Sequence, residues 1–164
     1  MASAAVRFSV VADARDLHRV FAVRAIVFIE EQACPFDEEF DEYDQIESSA
    51  VHILGSVDHA GGSEPVASGR IRLMQGGQPP ERTAKLERLA IRPGWRAGGA
   101  GHRLLTFMIH TARSHGCTRF ILHAQSHLTG FYESHGFVVN GPHFVEAGID
   151  HAPMIWRPHN SAND

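Results

Sequence analysis

Between Leu89 and Arg103 the chain passes from a strand through a tight turn into a helix, and this passage constrains the fold more than any other stretch. Lys85 to Ile91 (KLERLAI) reads as a short, mostly apolar strand that runs directly into Arg92-Pro93-Gly94-Trp95-Arg96. Beyond a glycine-rich turn, Leu104, Leu105, Met108, Ile109 and Ala112 form one face of a helix that Gly116 terminates. Arg96-Ala97-Gly98-Gly99-Ala100-Gly101 therefore opens a helix, whose first N–H groups lack acceptors and lie at the positive end of its dipole. Such a terminus suits an anion, and a pyrophosphate in particular. The small residues at 97–101 let phosphates approach the backbone, and Arg96 adds charge. A tight turn alone has the same composition, and neither G-K-[ST] nor G-x-G-x-x-G is present.

The chain is 164 residues long, 43% hydrophobic and 21% charged, enough to bury one domain's core without disulfides or structural metal. Its formal net charge of −4 and the lack of a basic run argue against nucleic acid. Cys34 and Cys117 form no metal-ligand spacing and read as reduced thiols in a cytoplasmic protein, with no metal expected. The first eleven residues are too short for a signal-peptide core, and no segment approaches a membrane span, so no membrane partner is expected. Histidines 127, 135, 143, 151 and 159 recur every eight residues, but their surroundings share no pattern and no metal ladder is read from them.

Val6 to Val11 reads as a strand, and Asp13 with Asp16 as the start of a helix. Leu17, Val20, Phe21, Val27 and Phe28 share that helix's apolar stripe with Arg24, whose charge requires a partner. Glu30 to Glu47 holds nine of the 19 acidic residues and reads as a loop or short helices that can neutralise Arg24. Val51 to Val57 and Val66 to Met74 pair as a hairpin around a turn at Ala60 to Pro65, and a second turn follows at Gln75 to Pro80. Arg119 to Ala124 is a buried-type strand, Thr129 to His135 a short helix, Phe137 to Asn140 a strand, and Ala152 to Trp156 its partner. Residues 6–157 are expected to be one domain, and 158–164 a frayed tail.

The pattern of Arg96, Gly99 and Gly101 after LERLAI and Pro93 resembles the coenzyme A loop of the GCN5-related N-acetyltransferase (GNAT) family. Gln125, Phe131-Tyr132-Glu133 and Gly136-Phe137 match that family's downstream element, with Gln125 where many members have Asn. Arg24-x-x-Val27-Phe28, Glu31-Gln32, Cys34-Pro35-Phe36 and Phe144-x-Glu146-x-Gly148-Ile149-x-His151 resemble its ElaA/YjcF-like bacterial branch. The resemblance implies an α/β fold of the α+β kind: a mixed, mostly antiparallel sheet, splayed in the middle between strands 85–91 and 119–124 and flanked by helices. It implies acetyl-CoA as co-substrate and a small-molecule or peptide amine as acceptor, and leaves open whether the protein is a homodimer.

By the same resemblance, the backbone of Leu89, Ala90 and Ile91 would hold the pantetheine arm and polarise the thioester carbonyl. Arg96, Ala97, Gly98, Gly99, Ala100 and Gly101 would take the pyrophosphate, Gln125 and Phe131 would also meet the cofactor, and Tyr132 would protonate the departing sulfur. Glu87 is a candidate base, because period two puts it on the face of Leu89 and Ile91. A pair with Arg88 or Arg70 explains it equally, and water is the other candidate base. Arg24, Glu31, Glu39 and Asp41 are the candidates for the acceptor side, where the acidic cluster can draw in a cationic amine. Two other readings stand: a non-catalytic acyl-CoA-binding regulatory module, and an acyl-homoserine-lactone synthase. The signature of the latter resembles Arg24-x-x-x-Phe28 and Glu39-x-Asp41-x-Tyr43-Asp44, but the family's tryptophan after Phe28 is missing and the spacing before Glu39 is short.

Overall fold

The computed structural model describes residues 4–74 and 81–156; the expected turn at 75–80 and the expected tail at 158–164 lie outside them. Among the described residues, eight strands form one sheet in the order β1-β2-β3-β4-β5-β8-β6, with β7 paired to β8. The strands are β1 Arg7–Val10, β2 Ala50–His59, β3 Gly62–Leu73, β4 Thr83–Ile91, β5 Arg119–Gln125, β6 Phe137–Val139, β7 Phe144–Glu146 and β8 Ile149–Trp156. Every pairing is antiparallel except β4 with β5.

That parallel pair is short. It runs from Thr83↔Arg119 to Leu86↔Leu122 and stops, so Glu87–Ile91 and His123–Gln125 diverge, and the splay expected in mid-sheet lies there. β4 also carries a bulge. Arg70 pairs with Glu87 and Ser68 with Ala90, so two residues of β3 step against three of β4, and Arg88 sits at φ +56. The bulge corrects the period-two reading of this strand. Glu87 shares a face with Ala90, while Leu89 and Ile91 pack on the opposite side with the α3 core.

Helix α1 (Ala14–Arg24) begins as the sequence predicts, with the Asp13 side chain accepting from the Asp16 amide. It continues without a break as a π-helical segment, Ala25–Glu31, which lengthens the expected helix. Val23 and Val27 from this run pack on Ala90. The acidic segment then forms only a short helix, α2 (Phe36–Glu39). On the other face of the sheet, α3 (Ala100–Ser114) buries Leu104, Leu105, Met108 and Ala112 against Ile71, Leu86, Phe120 and Leu122. A single 3₁₀ turn, Ser126–Leu128, leads from β5 into α4 (Thr129–Glu133).

Two hairpins differ from the sequence reading. The β2–β3 turn is only Ala60-Gly61, and β3 tolerates Pro65 because a register shift there spares its missing N–H. The strand β7, absent from the sequence reading, folds back on β8 through Ala147-Gly148, both at positive φ, as a two-residue hairpin requires.

Candidate active site

The glycine turn opens α3 as the sequence predicts. Gly94, Gly98 and Gly99 take φ of +88, +78 and +77, a region costly to any residue with a Cβ. A Cβ added at any of the three would meet nothing within 4 Å, so the ground above the turn is open. Gly99 is the N-cap and supplies no side-chain acceptor to the first amides of α3. Arg103 fixes the loop from within the helix, Nη1 donating to the Gly98 carbonyl at 3.0 Å, and Trp95 braces it from the core side. Free amides, open space and a neighbouring guanidinium together fit the pyrophosphate of coenzyme A.

Two cavities meet where β4 and β5 part. The first, about 350 Å³, lies over the glycine turn and is lined by Leu89, Ala90, Ile91, Arg96, Gly101 and Phe131. It gathers most of the residues expected to hold the donor. Ala97 and Gly98 are exposed and Gly99 half-buried beside it, whereas Ala100 is buried as the first residue of α3. The second cavity, about 180 Å³, lies on the face opposite α3, between the π-helical segment, α2 and the β7–β8 hairpin. Gln32, Leu89, Leu128 and Tyr132 line both.

Tyr132 is 7% exposed, wedged edge-on between Phe131 and Phe137 at ring distances of 5.0 and 6.2 Å. Burial pushes its phenol up to about 12, so it keeps its proton throughout the physiological range. Its hydroxyl makes no hydrogen bond to any described residue, which leaves it free to donate to a bound molecule.

Glu87 lines the second cavity, but its carboxylate is engaged. Arg70 Nε donates to Oε1 at 3.0 Å, Arg72 Nε lies 2.9 Å from the same oxygen, and Lys85 Nζ stands 3.6 Å from Oε2. Three cations gather on this one carboxylate, so the ion pair with Arg70 that the sequence offered as the other explanation of Glu87 is present.

The acceptor-side candidates scatter. Arg24 is wholly buried, donating to Glu39 Oε1 at 2.7 Å, to Asp44 Oδ1 at 2.6 Å and to the Glu39 carbonyl, so it cannot touch an acceptor. It has found the acidic partners its position in the apolar stripe demanded. Glu39 lines the second cavity, yet burial outweighs Arg24 and Arg88 and raises its pKa. Asp41 is held by Arg70 at 2.6 and 2.8 Å, away from both cavities, which corrects its placement as an acceptor contact. Glu31 sits on the donor side, locked to Arg96. Gln125 lines the second cavity instead of the first, donating to Gln32 Oε1 at 2.9 Å. Its strand alternation explains this, because Ile121, His123 and Gln125 turn away from the face that buries Phe120, Leu122 and Ala124.

Sequence reasoning missed Gln32, His123, Glu146 and His151 on the second cavity wall. The alternation in RFILHAQ was the available signal for His123; the other three depend on how β7, β8 and the π-helical segment approach. Both cysteines are free and buried, with thiol pKa values raised by that burial. Among the described residues no cluster of His, Cys, Asp or Glu is arranged to ligate a metal, and no helix is long and apolar enough to cross a membrane.

A parted parallel strand pair, a glycine cradle at a helix N-terminus and a protonated phenol between two cavities define a coenzyme A-dependent acyltransferase. The chain belongs to the GNAT family: residues 41–158 match the model of the acetyltransferase (GNAT) domain. A Bacillus subtilis protein named as an acetyltransferase is 34% identical over 140 residues, spanning 85% of this chain and 88% of its own. The N-acetyltransferase YjcF of the same organism is 34% identical over 140 residues, with 85% and 91% covered. The crystal structure of Escherichia coli ElaA superposes with a TM-score of 0.77 at 25% identity, covering 93% of this chain and all of that one. The GNAT family uses acetyl-CoA, and its acetyltransferases act on amine acceptors.

Proposed function

We propose that this chain is an acetyl-CoA-dependent N-acetyltransferase that moves the acetyl group directly to a primary amine of a small molecule or peptide, with both substrates bound at once. The observation that carries the reading is Tyr132, whose side chain forms part of the wall of both cavities. Acetyl-CoA supplies an activated thioester. Around it, the amides at the start of α3 and Arg96 bind the phosphates, and the unpaired edge of β4 beyond Leu86 offers backbone groups to the pantetheine arm. The amide of Leu89 or Ala90, beside the bulge at Arg88, is the donor offered to the thioester oxygen, a contribution of ~3 kcal/mol where such donors have been removed elsewhere. Tyr132 then gives its proton to the departing sulfur.

Direct transfer suits this arrangement, because Cys34 and Cys117 are buried and their thiols are held protonated. The same reduced state is consistent with a cytoplasmic protein. The test is release of free coenzyme A thiol across a panel of primary amines, beside the melting temperature with acetyl-CoA present. No thermal shift would overturn the reading. A shift without turnover of any amine would reduce the protein to an acyl-CoA-binding module.

A further inference from the structure

The second cavity carries a group of side chains that the reading above leaves unused. His123 on β5, His151 on β8 and Glu146 on β7 come together on the sheet face opposite α3. Glu146 Oε1 lies 3.7 Å from His123 Nδ1 and its Oε2 3.9 Å from His151 Nε2, so one carboxylate stands between two imidazoles. The His151 ring is oriented from behind: Nδ1 donates to the Ile149 carbonyl at 2.7 Å. In the neutral ring, Nε2 then presents a lone pair toward Glu146. His123 is held edge-on against Phe144, with centroids 4.8 Å apart. Its Nε2 has no partner among the described residues.

We propose that His123 is the catalytic group that takes the proton from the acceptor ammonium, with Glu146 and the Nε2 of His151 receiving that ammonium beside it. The proposal rests on the N-acetyltransferase reading of the same site and assigns its base. Glu87 is engaged instead by Arg70, Arg72 and Lys85. Burial and the Lys85 charge both hold His123 below the ordinary imidazole value, against a smaller opposing effect of Glu146, so the ring is unprotonated at pH 7 and open to a proton. The charged and titratable groups facing it are Lys85 and Glu87 from β4, Glu146 from β7 and His151 from β8.

The protons balance. An acceptor ammonium carries three: one stays on the amide nitrogen, one ends on sulfur, and one leaves to water. His123 removes the first and passes it to solvent, freeing the nitrogen lone pair. The C–N bond forms, the C–S bond breaks, and Tyr132 protonates the sulfur. The second nitrogen proton leaves through His123 and restores the Tyr132 hydroxyl through water. The acceptor this wall fits is a primary ammonium, since Glu146 and Glu38 border the cavity.

The experiment compares the full-length protein with His123→Asn and Glu146→Gln. Thiol release is followed from pH 5.5 to 9.5 with acetyl-CoA and ethylamine, spermidine, glucosamine or a lysine-containing tripeptide, using the fastest acceptor. For the native protein the acid limb of kcat lies below the ordinary imidazole value. In His123→Asn, kcat falls about 100-fold at pH 7. Its limb moves up toward the amine's own pKa, so that activity recovers at high pH, while the thermal shift with acetyl-CoA stays native and shows that the variant is folded. Glu146→Gln raises KM for the amine. Native kcat and an unmoved limb in His123→Asn would overturn the assignment, and a thermal shift with no amine turned over by the native protein would overturn both this proposal and the function it rests on.

Discussion

The Arg96 guanidinium grips the Glu31 carboxylate by two parallel bonds, Nη1 to Oε1 at 2.7 Å and Nη2 to Oε2 at 2.6 Å, beside the glycine turn. Arg96 Nε meanwhile donates to the Ile91 carbonyl, so the fork is aimed before any phosphate arrives. A phosphate and Glu31 compete for the same two donors. Glu31→Gln is expected to tighten coenzyme A binding by no more than about fivefold, because an exposed ion pair is worth about 1 kcal/mol or less. Arg96→Ala is expected to weaken it about tenfold. Isothermal titration with coenzyme A measures both, and weaker binding by Glu31→Gln would show that the carboxylate orients Arg96 more than it obstructs it.

Tyr132→Phe removes one hydroxyl that no described residue bonds. Stability should stay within about 1 kcal/mol of native, and the acetyl-CoA thermal shift should be kept. Turnover should fall about 100-fold. Because burial holds the phenol at about 12, the native protein should show no loss of activity from Tyr132 ionisation below pH 10. A native rate for the phenylalanine variant would remove the acid assignment.

Gly98 and Gly99 separate binding from folding. Alanine at either adds a side chain in the left-handed region, at a cost of about 1–2 kcal/mol, with no protein atom to collide with. The expected result is a modest fall in melting temperature joined to loss of the coenzyme A shift. Retention of the full shift by Gly99→Ala would move the phosphate site elsewhere.

The Arg24 and Arg70 side chains share Asp44 between them, and both are buried. Arg24→Met takes from Glu39 its nearest cation and leaves Asp44 with Arg70 alone, and urea unfolding should register a loss of about 3 kcal/mol. Acid acts on the same cluster. Burial raises the Asp41 and Asp44 carboxyls, but Arg70 and Arg24 outweigh it and the net pKa of each is lowered. Their contribution is therefore complete above the unfolded value of about 3.9 and is lost as pH falls through the lower folded values. Melting temperature should drop from about pH 4 downward, and less steeply in Asp41→Asn.

Local signals were the legible ones. The Asp13 cap, the α3 stripe, the glycine turn and the need of Arg24 for acidic partners all follow from residues near one another in the chain. The face of Glu87 did not. Its strand alternates regularly in sequence, and only the pairing of β3 with β4 creates the bulge at Arg88 that turns Leu89 to the other side. Gln125 was likewise misplaced because a resemblance names a position without saying which of two cavities its strand face meets. The strand β7 has three residues, too few for a period, and Glu146 reaches the site only because Ala147-Gly148 folds β7 back.

A sheet that is joined at Leu86 and Leu122 and open beyond them contains, in its interior, what other proteins keep at their margins: a strand with unmet amides. An extended amide-bearing arm laid along it would finish the ladder, so the occupied protein would be the better-formed sheet. Resistance to unfolding then becomes a readout of the donor's concentration, rising with the logarithm of its excess over the dissociation constant. A cell depleted of coenzyme A would hold not merely an idle copy of this protein but a shorter-lived one.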